Sequence, residues 1–383
     1  MVKARSATGA WQRRAMRRPI VRRKMMTNIA LAGFLLFLGC KESAQAPNPP
    51  ESSNLAPRTF RMGFGANPPK PTNESAVATI TAWSTHADAA IMHNSPPYKV
   101  LLTGVANATT YVNTVDLPLA NFYRQHGFPI TITVDVTDGL NRAAEAPELV
   151  ALGRSITEPA VQQVYRDYVK ALVSIIRPEY LGLAAETNLI RDQAPSAVYD
   201  AVVQMANSTA TDVRAIGGTQ PKLYVSIQAD EAWGPPPAAY RGAERDFQDF
   251  SFMQVVAISS YPYFFYPDPD QVPLDYYVRV ANGRSLPIMV VEGGWTSGVA
   301  GGIQSSPQKQ AKYLRRQERM LDSAKAIAVF QLTYTDLDIS AYQPLPAGSI
   351  LPLFASLGHV DVNFAPKPSL ATYDSIFARP LKK

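Results

Sequence analysis

The segments Tyr180-Leu-Gly-Leu-Ala-Ala-Glu-Thr-Asn188 and Pro287-Ile-Met-Val-Val-Glu-Gly-Gly-Trp295 decide how this chain is read. Each is an apolar, strand-like run that stops at a glutamate. Strands buried on both faces are apolar almost throughout, as in parallel sheets. A carboxylate at the end of such a strand adds little to packing. Glu186 and Glu292 are far apart in sequence, so only the fold can bring them together. Two carboxyls at strand ends suit acid-assisted cleavage of a glycosidic bond, in which one donates a proton and the other attacks.

Working outward, six more runs have the same character. The eight expected strands are Phe60–Phe64, Ala89–Met92, Ile130–Val136, Tyr180–Ala185, Leu223–Gln228, Val255–Ser259, Ile288–Val291 and Ile327–Leu332. Helical periodicity lies between most of them, at Ser75–Trp83, Glu158–Ile176, Ser196–Ile216, Tyr276–Ala281 and Pro307–Ser323. Ser306-Pro307 supplies a cap followed by proline at the first helical position. Eight β/α alternations predict an α/β chain folded as one (β/α)8 TIM barrel, with an open doubly wound sheet as the alternative. Gly63-Phe-Gly65 lacks the third glycine of a dinucleotide loop and reads as close backbone packing.

Residues 1–40 read as a signal peptide. Nine basic residues and no acidic one precede the apolar run Ile29 to Leu38, which is too short to span a bilayer. Phe37-Leu38-Gly39-Cys40 resembles a bacterial lipobox, which implies that Cys40 is lipidated and becomes the N-terminus. Residues 41–57, rich in Pro, Ser, Ala and Asn, read as a flexible tether, and 58–383 as the domain. The expected location is a bacterial cell envelope, lipid-anchored. Without the leader, 28 basic residues face 31 acidic ones, a net charge of −3. That balance gives no reason to expect nucleic acid as a partner. Cys40 is the only cysteine, so no disulfide is expected. His86, His93, His126 and His359 have no metal-ligand spacing; no metal and no cofactor are expected.

In a (β/α)8 barrel, functional residues gather at the C-terminal ends of the strands. Glu186 ends the fourth run and Glu292 the seventh. In this the chain resembles the clan A glycoside hydrolases, with the endo-β-1,4-galactanase group nearest. Ser260-Tyr-Pro-Tyr263, Trp295 and the tail Pro366-Lys-Pro-Ser-Leu370 carry the same resemblance. It implies a retaining double displacement, with Glu186 as acid/base and Glu292 as nucleophile. In one respect the chain departs from the clan: Ala185 stands where asparagine usually precedes the acid/base. Asn188 is a candidate replacement amide, and Arg191 a candidate partner for Glu186.

Other strand ends are polar. His93, Asn94, Asp135, Gln228 and Asp336, with the aromatic Trp233, Tyr261, Trp295 and Tyr334, are candidate substrate contacts, since sugars offer hydroxyl edges and apolar faces. Tyr261 has a specific candidate role, donating to the nucleophile. Asp138-Gly139 reads as a turn and Asp338 as a capping or solvated carboxylate. The expected partner is a carbohydrate, met by a monomer. A non-catalytic glycan-binding barrel is the second reading, and Ala185 favours it.

Overall fold

The computed structural model describes residues 55–382. The expected signal peptide with Cys40, and the tether as far as residue 54, lie outside the described residues. Eight parallel strands form the centre: β1 (Arg61–Phe64), β2 (Ala90–Asn94), β3 (Ile130–Val134), β4 (Tyr180–Gly182), β5 in two pieces (Lys222–Tyr224 and Ser226–Gln228), β6 (Val256–Ser260), β7 (Ile288–Gly293) and β8 (Ala328–Gln331). Pairing runs in sequence order from β2 to β5 and from β5 to β8, and β8 returns to β1. The last seam joins β1 to β2, where the Asp88 and Ala89 amides donate to the Met62 carbonyl at 3.0 and 3.3 Å. The chain is a (β/α)8 TIM barrel.

Each strand is followed by a helix: α1 (Asn73–Trp83), α2 (Leu117–Gln125), α3 (Pro159–Ile176), α4 (Ser196–Ala215), α5 (Glu244–Asp249), α6 (Tyr276–Val280), α7 (Pro307–Ala324) and α8 (Pro368–Phe377). On α3, Val161, Tyr165, Tyr168, Val169 and Leu172 face the sheet, as the 3.6-residue period dictates. The Ser306 side chain caps α7 by accepting from the Lys309 amide. Pro195 sits at the N-cap of α4, where no side-chain cap bond is made. No periodicity reading separated α2 and α5 from their loops: α2 continues directly from the helical segments Ala108–Tyr111 and Val112–Asp116, and α5 is short.

The barrel interior holds Ala89, Ile91, Tyr224, Val255, Ala257, Met289, Val291, Ala328 and Phe330. A strand alternates its faces with period two, so this row fixes which later residues point inward. It aims His93 (after Ala89 and Ile91) and Ser259 (after Val255 and Ala257) into the mouth. A Cβ on Gly63 would stand 2.3 Å from the Ala89 carbonyl, so close strand approach requires glycine there. Gly182 likewise admits the Tyr224 ring, whose hydroxyl bonds Thr133 across the interior at 2.7 Å.

Candidate active site

Glu186 follows β4 and stands at the N-cap position of the short helix Thr187–Gln193, with no side-chain cap bond. Its backbone is left-handed, φ 50° and ψ 50°, a costly conformation for a residue with a Cβ. The Ser226 hydroxyl accepts its amide at 2.9 Å. The turn swings the side chain across the mouth rather than along the strand. There the Ser259 hydroxyl donates to Oε1 at 2.5 Å and the Arg142 Nε to Oε2 at 3.0 Å.

Glu292 reaches the same mouth by a different device. Met289 and Val291 already occupy the interior phase of β7, so a regular strand would point residue 292 outward. The register against β6 slips between Val290 and Glu292, and this bulge turns the carboxyl inward. The Tyr261 hydroxyl then donates to Glu292 Oε1 at 2.5 Å. His93 Nε2 lies 3.1 Å from the Val291 carbonyl and 3.8 Å from Glu292 Oε2. A carbonyl only accepts, so Nε2 carries the proton. The side chains of Glu292, His93 and Glu186 are 20, 23 and 9 % exposed, so the site opens to solvent.

The electrostatics follow from this crowding. Burial, and then the charge of Glu186, push Glu292 up to about 7; the Tyr261 bond and Arg142 oppose the shift. Burial also lowers His93, partly offset by its bond to Val291, which keeps the ring neutral near pH 7. Tyr261 is raised by burial and by Glu292, so it remains a phenol and a donor.

Arg142 was not among the residues singled out by sequence. It belongs to a hairpin inserted after β3, Thr137–Asp138 paired with Asn141–Glu145. Its Nη1 meets both Asp135 oxygens at 2.6 and 2.7 Å. The hairpin base is tied down by Glu145, which accepts from the Ser155 hydroxyl and the Ile156 amide. Asp138-Gly139 does form the turn, with Asp138 accepting the Leu140 amide. That turn was the available signal, since a strand pair flanking Asp-Gly is a hairpin pattern.

Several expected contacts lie elsewhere. Arg191 bonds Asp246, not Glu186. The buried Asn188 amide is held by the Gln228 backbone: it donates to the Gln228 carbonyl and accepts the Gln228 amide, both at 2.9 Å. It therefore does not replace the amide missing at Ala185. Gln228 caps the short helix Ala229–Trp233 and donates to Asp230. Asn94 bonds Asp116 and Tyr168 of α3, outside the barrel. Trp233 stacks on Tyr276 and donates to its carbonyl. Trp295 is 2 % exposed, covered by Tyr263 and Tyr313, and so offers no open sugar platform. Tyr334 packs against Phe64 and His86. Asp336 pairs with Lys367 at 2.7 Å, and Asp338 caps a short helix. Of the residues expected at the site, the fold brings together Glu186, Glu292, His93, Asp135 and Tyr261; Arg142 and Ser259 join them.

Asp230 supports the arrangement from behind. Fully buried, it accepts from the Tyr276 hydroxyl, the Tyr261 amide and Gln228 at 2.5, 2.7 and 2.6 Å, which fixes the segment bearing Tyr261. Among the described residues no group of His, Cys, Asp and Glu could hold a metal ion. Two hollows of about 560 and 680 Å³ lie against α3 and at the opposite end of the barrel, and neither contains Glu186 or Glu292.

No family model and no curated protein sequence matches the chain. Solved structures do. A variant of GH5_18 from Bifidobacterium longum, solved with Manβ1-4GlcNAc, aligns at TM-score 0.58 and 15 % identity, over 84 % of this chain and 80 % of that one. Xylanase 10B from Thermotoga maritima aligns at 0.54 and 13 %, over 83 and 95 %. An exo-β-1,4-mannosidase from Opitutaceae bacterium strain TAV5 aligns at 0.60 and 14 %, over 86 % of this chain but 62 % of its own. At these identities the likeness is one of fold.

Proposed function

We propose that this barrel is a retaining glycoside hydrolase acting on a β-linked oligosaccharide or polysaccharide. The observation that carries the reading is the meeting of Glu186 and Glu292 in one barrel mouth, at the ends of β4 and β7, with Tyr261 donating to Glu292. A nucleophilic carboxylate needs a donor that favours its ionised form, and Tyr261 is that donor. Glu186 protonates the leaving oxygen and later activates water. Solved structures it resembles include GH5_18, a xylanase and an exo-β-1,4-mannosidase, which supports a carbohydrate as the substrate.

The test is hydrolysis of a panel holding Manβ1-4GlcNAc, β-1,4-mannan, xylan and β-1,4-galactan, with the product anomer followed by NMR. A retained anomer supports the mechanism and an inverted one rejects it. Glu186→Gln and Glu292→Gln should each lower kcat by about 10²–10⁴; unchanged turnover in both would remove the assignment. The finer reading, a galactanase-like specificity, requires β-1,4-galactan to be the preferred member.

A second reading, glycan binding without turnover, is favoured by Ala185 and by the ion pair on Glu186. Binding without hydrolysis of any member would select it. We further propose that the chain is a monomer held at the envelope by lipid on Cys40. Cys40→Ser should move it from the membrane pellet to the soluble fraction, and continued sedimentation with membranes would contradict the anchor.

A further inference from the structure

We propose that Arg142 is a positioning residue that sets the order in which the two carboxyls lose their protons, keeping Glu186 as the charged member of the resting pair and leaving the proton on Glu292. The geometry of the two groups is unequal. Both Glu186 oxygens already accept, one from the Ser259 hydroxyl at 2.5 Å and one from Arg142 Nε at 3.0 Å. A guanidinium has no acceptor, so Oε2 has nowhere to aim an O–H. A proton on Oε1 would have to be given to Ser259, whose own hydroxyl proton would then lose its acceptor. Glu292 is different. Tyr261 donates to Oε1, while Oε2 lies 3.8 Å from His93 Nε2, beyond hydrogen-bond reach, and can carry a proton.

The charged and titratable groups facing the pair are Asp135 and Arg142 from the β3 side, His93 from β2 and Tyr261 beyond β6. Arg142 is the one permanent cation among them and is itself buried, so it cannot swing into solvent without breaking its bonds to Glu186, Asp135 and Thr137. The elevation of Glu292 agrees with this order.

This deepens the hydrolase reading, and its consequence for turnover rests on that reading. A double displacement needs Glu292 ionised and Glu186 neutral. One proton must therefore pass from Glu292 to Glu186 when ligand binds, with the Arg142 Nε contact loosened as it arrives. The number of protons in the pair is unchanged. The hairpin then ties readiness for cleavage to occupation of the cleft.

The proton order can be measured without turnover. The protein is labelled with ¹³C at the glutamate carboxyls and titrated by NMR, with Glu186→Gln and Glu292→Gln assigning the two resonances. In the native chain the Glu292 resonance should titrate at the higher pH. In Arg142→Gln the order should reverse, with Glu186 now the last to lose its proton. Asp135→Asn should keep the native order while lowering the Glu292 midpoint, because the Asp135 charge helps to raise it. Circular dichroism checks folding; if Arg142→Gln unfolds, Arg142→Lys should narrow the gap between the midpoints. A native chain in which Glu186 titrates above Glu292, or an Arg142 variant with the native order and spacing, overturns the proposal. Absence of hydrolysis with the native order as stated would fail the hydrolase reading alone.

Discussion

Tyr261 reaches its place because two neighbours hold it: Asp230 takes its amide, and the ring packs edge-on against Phe354 and Tyr263. Its hydroxyl is the single donor to Glu292 Oε1 among the described residues. Tyr261→Phe removes a bond that favours the ionised carboxyl. The Glu292 midpoint should then rise from about 7, and the alkaline limb of the pH–rate profile, where the pair loses its one proton, should move up with it. A pH–rate profile that stays where it was would show that the hydroxyl only packs. The residue scale also explains why Glu186 tolerates a left-handed backbone. The strain of about 1–3 kcal/mol is held by the Ser226 and Ser259 bonds and by Arg142.

At the scale of elements, the mouth depends on strands that approach closely and on one that slips. Gly182 of β4 leaves room for Tyr224 of β5, and a methyl there would lie 2.4 Å from the ring. Gly182→Ala should destabilise the barrel by about 1–3 kcal/mol, as overpacked cores do, read as a lower midpoint in chemical denaturation. A midpoint matching the native protein would mean that Tyr224 can give way. Strands and long helices were evident from sequence because their periods are local properties. The β7 bulge was not, since a one-residue slip leaves the apolar run Ile288–Val291 unchanged and is fixed by pairing with β6. The hairpin after β3 carried its Asp-Gly signal, but nothing in sequence says where Arg142 points once that turn is made.

At the scale of the whole molecule, both ends of the described chain close one face. Arg58 donates to the carbonyls of Arg379 and Phe60 and pairs with Asp88, while Arg379 donates to the carbonyls of Ala56 and Pro57. Global stability carries a pH dependence from a buried carboxyl away from the mouth. Burial pushes Asp116 up to about 7 despite bonds from Tyr168 and Asn94. A carboxyl raised on folding stabilises most where it is protonated in both states, below about pH 4, and that contribution is lost as pH rises to about 7. Asp116→Asn should flatten the fall in unfolding free energy between pH 4.5 and 8, a term on the order of a few kcal/mol. An undiminished slope would assign it to other groups, of which Asp230, raised to about 6, is one. The sequence by itself determined the eight strands and the better-patterned helices and marked Glu186 and Glu292 as carboxyls at strand ends, because hydrophobic period and its interruption are written residue by residue. Tertiary structure alone decided that Arg142 and Ser259 hold Glu186 and Tyr261 holds Glu292, and that Asn188, Trp233, Trp295 and Asp336 serve packing. Such contacts span tens of residues and exist only after the ring of strands has closed and the pleat has chosen which side chains face inward.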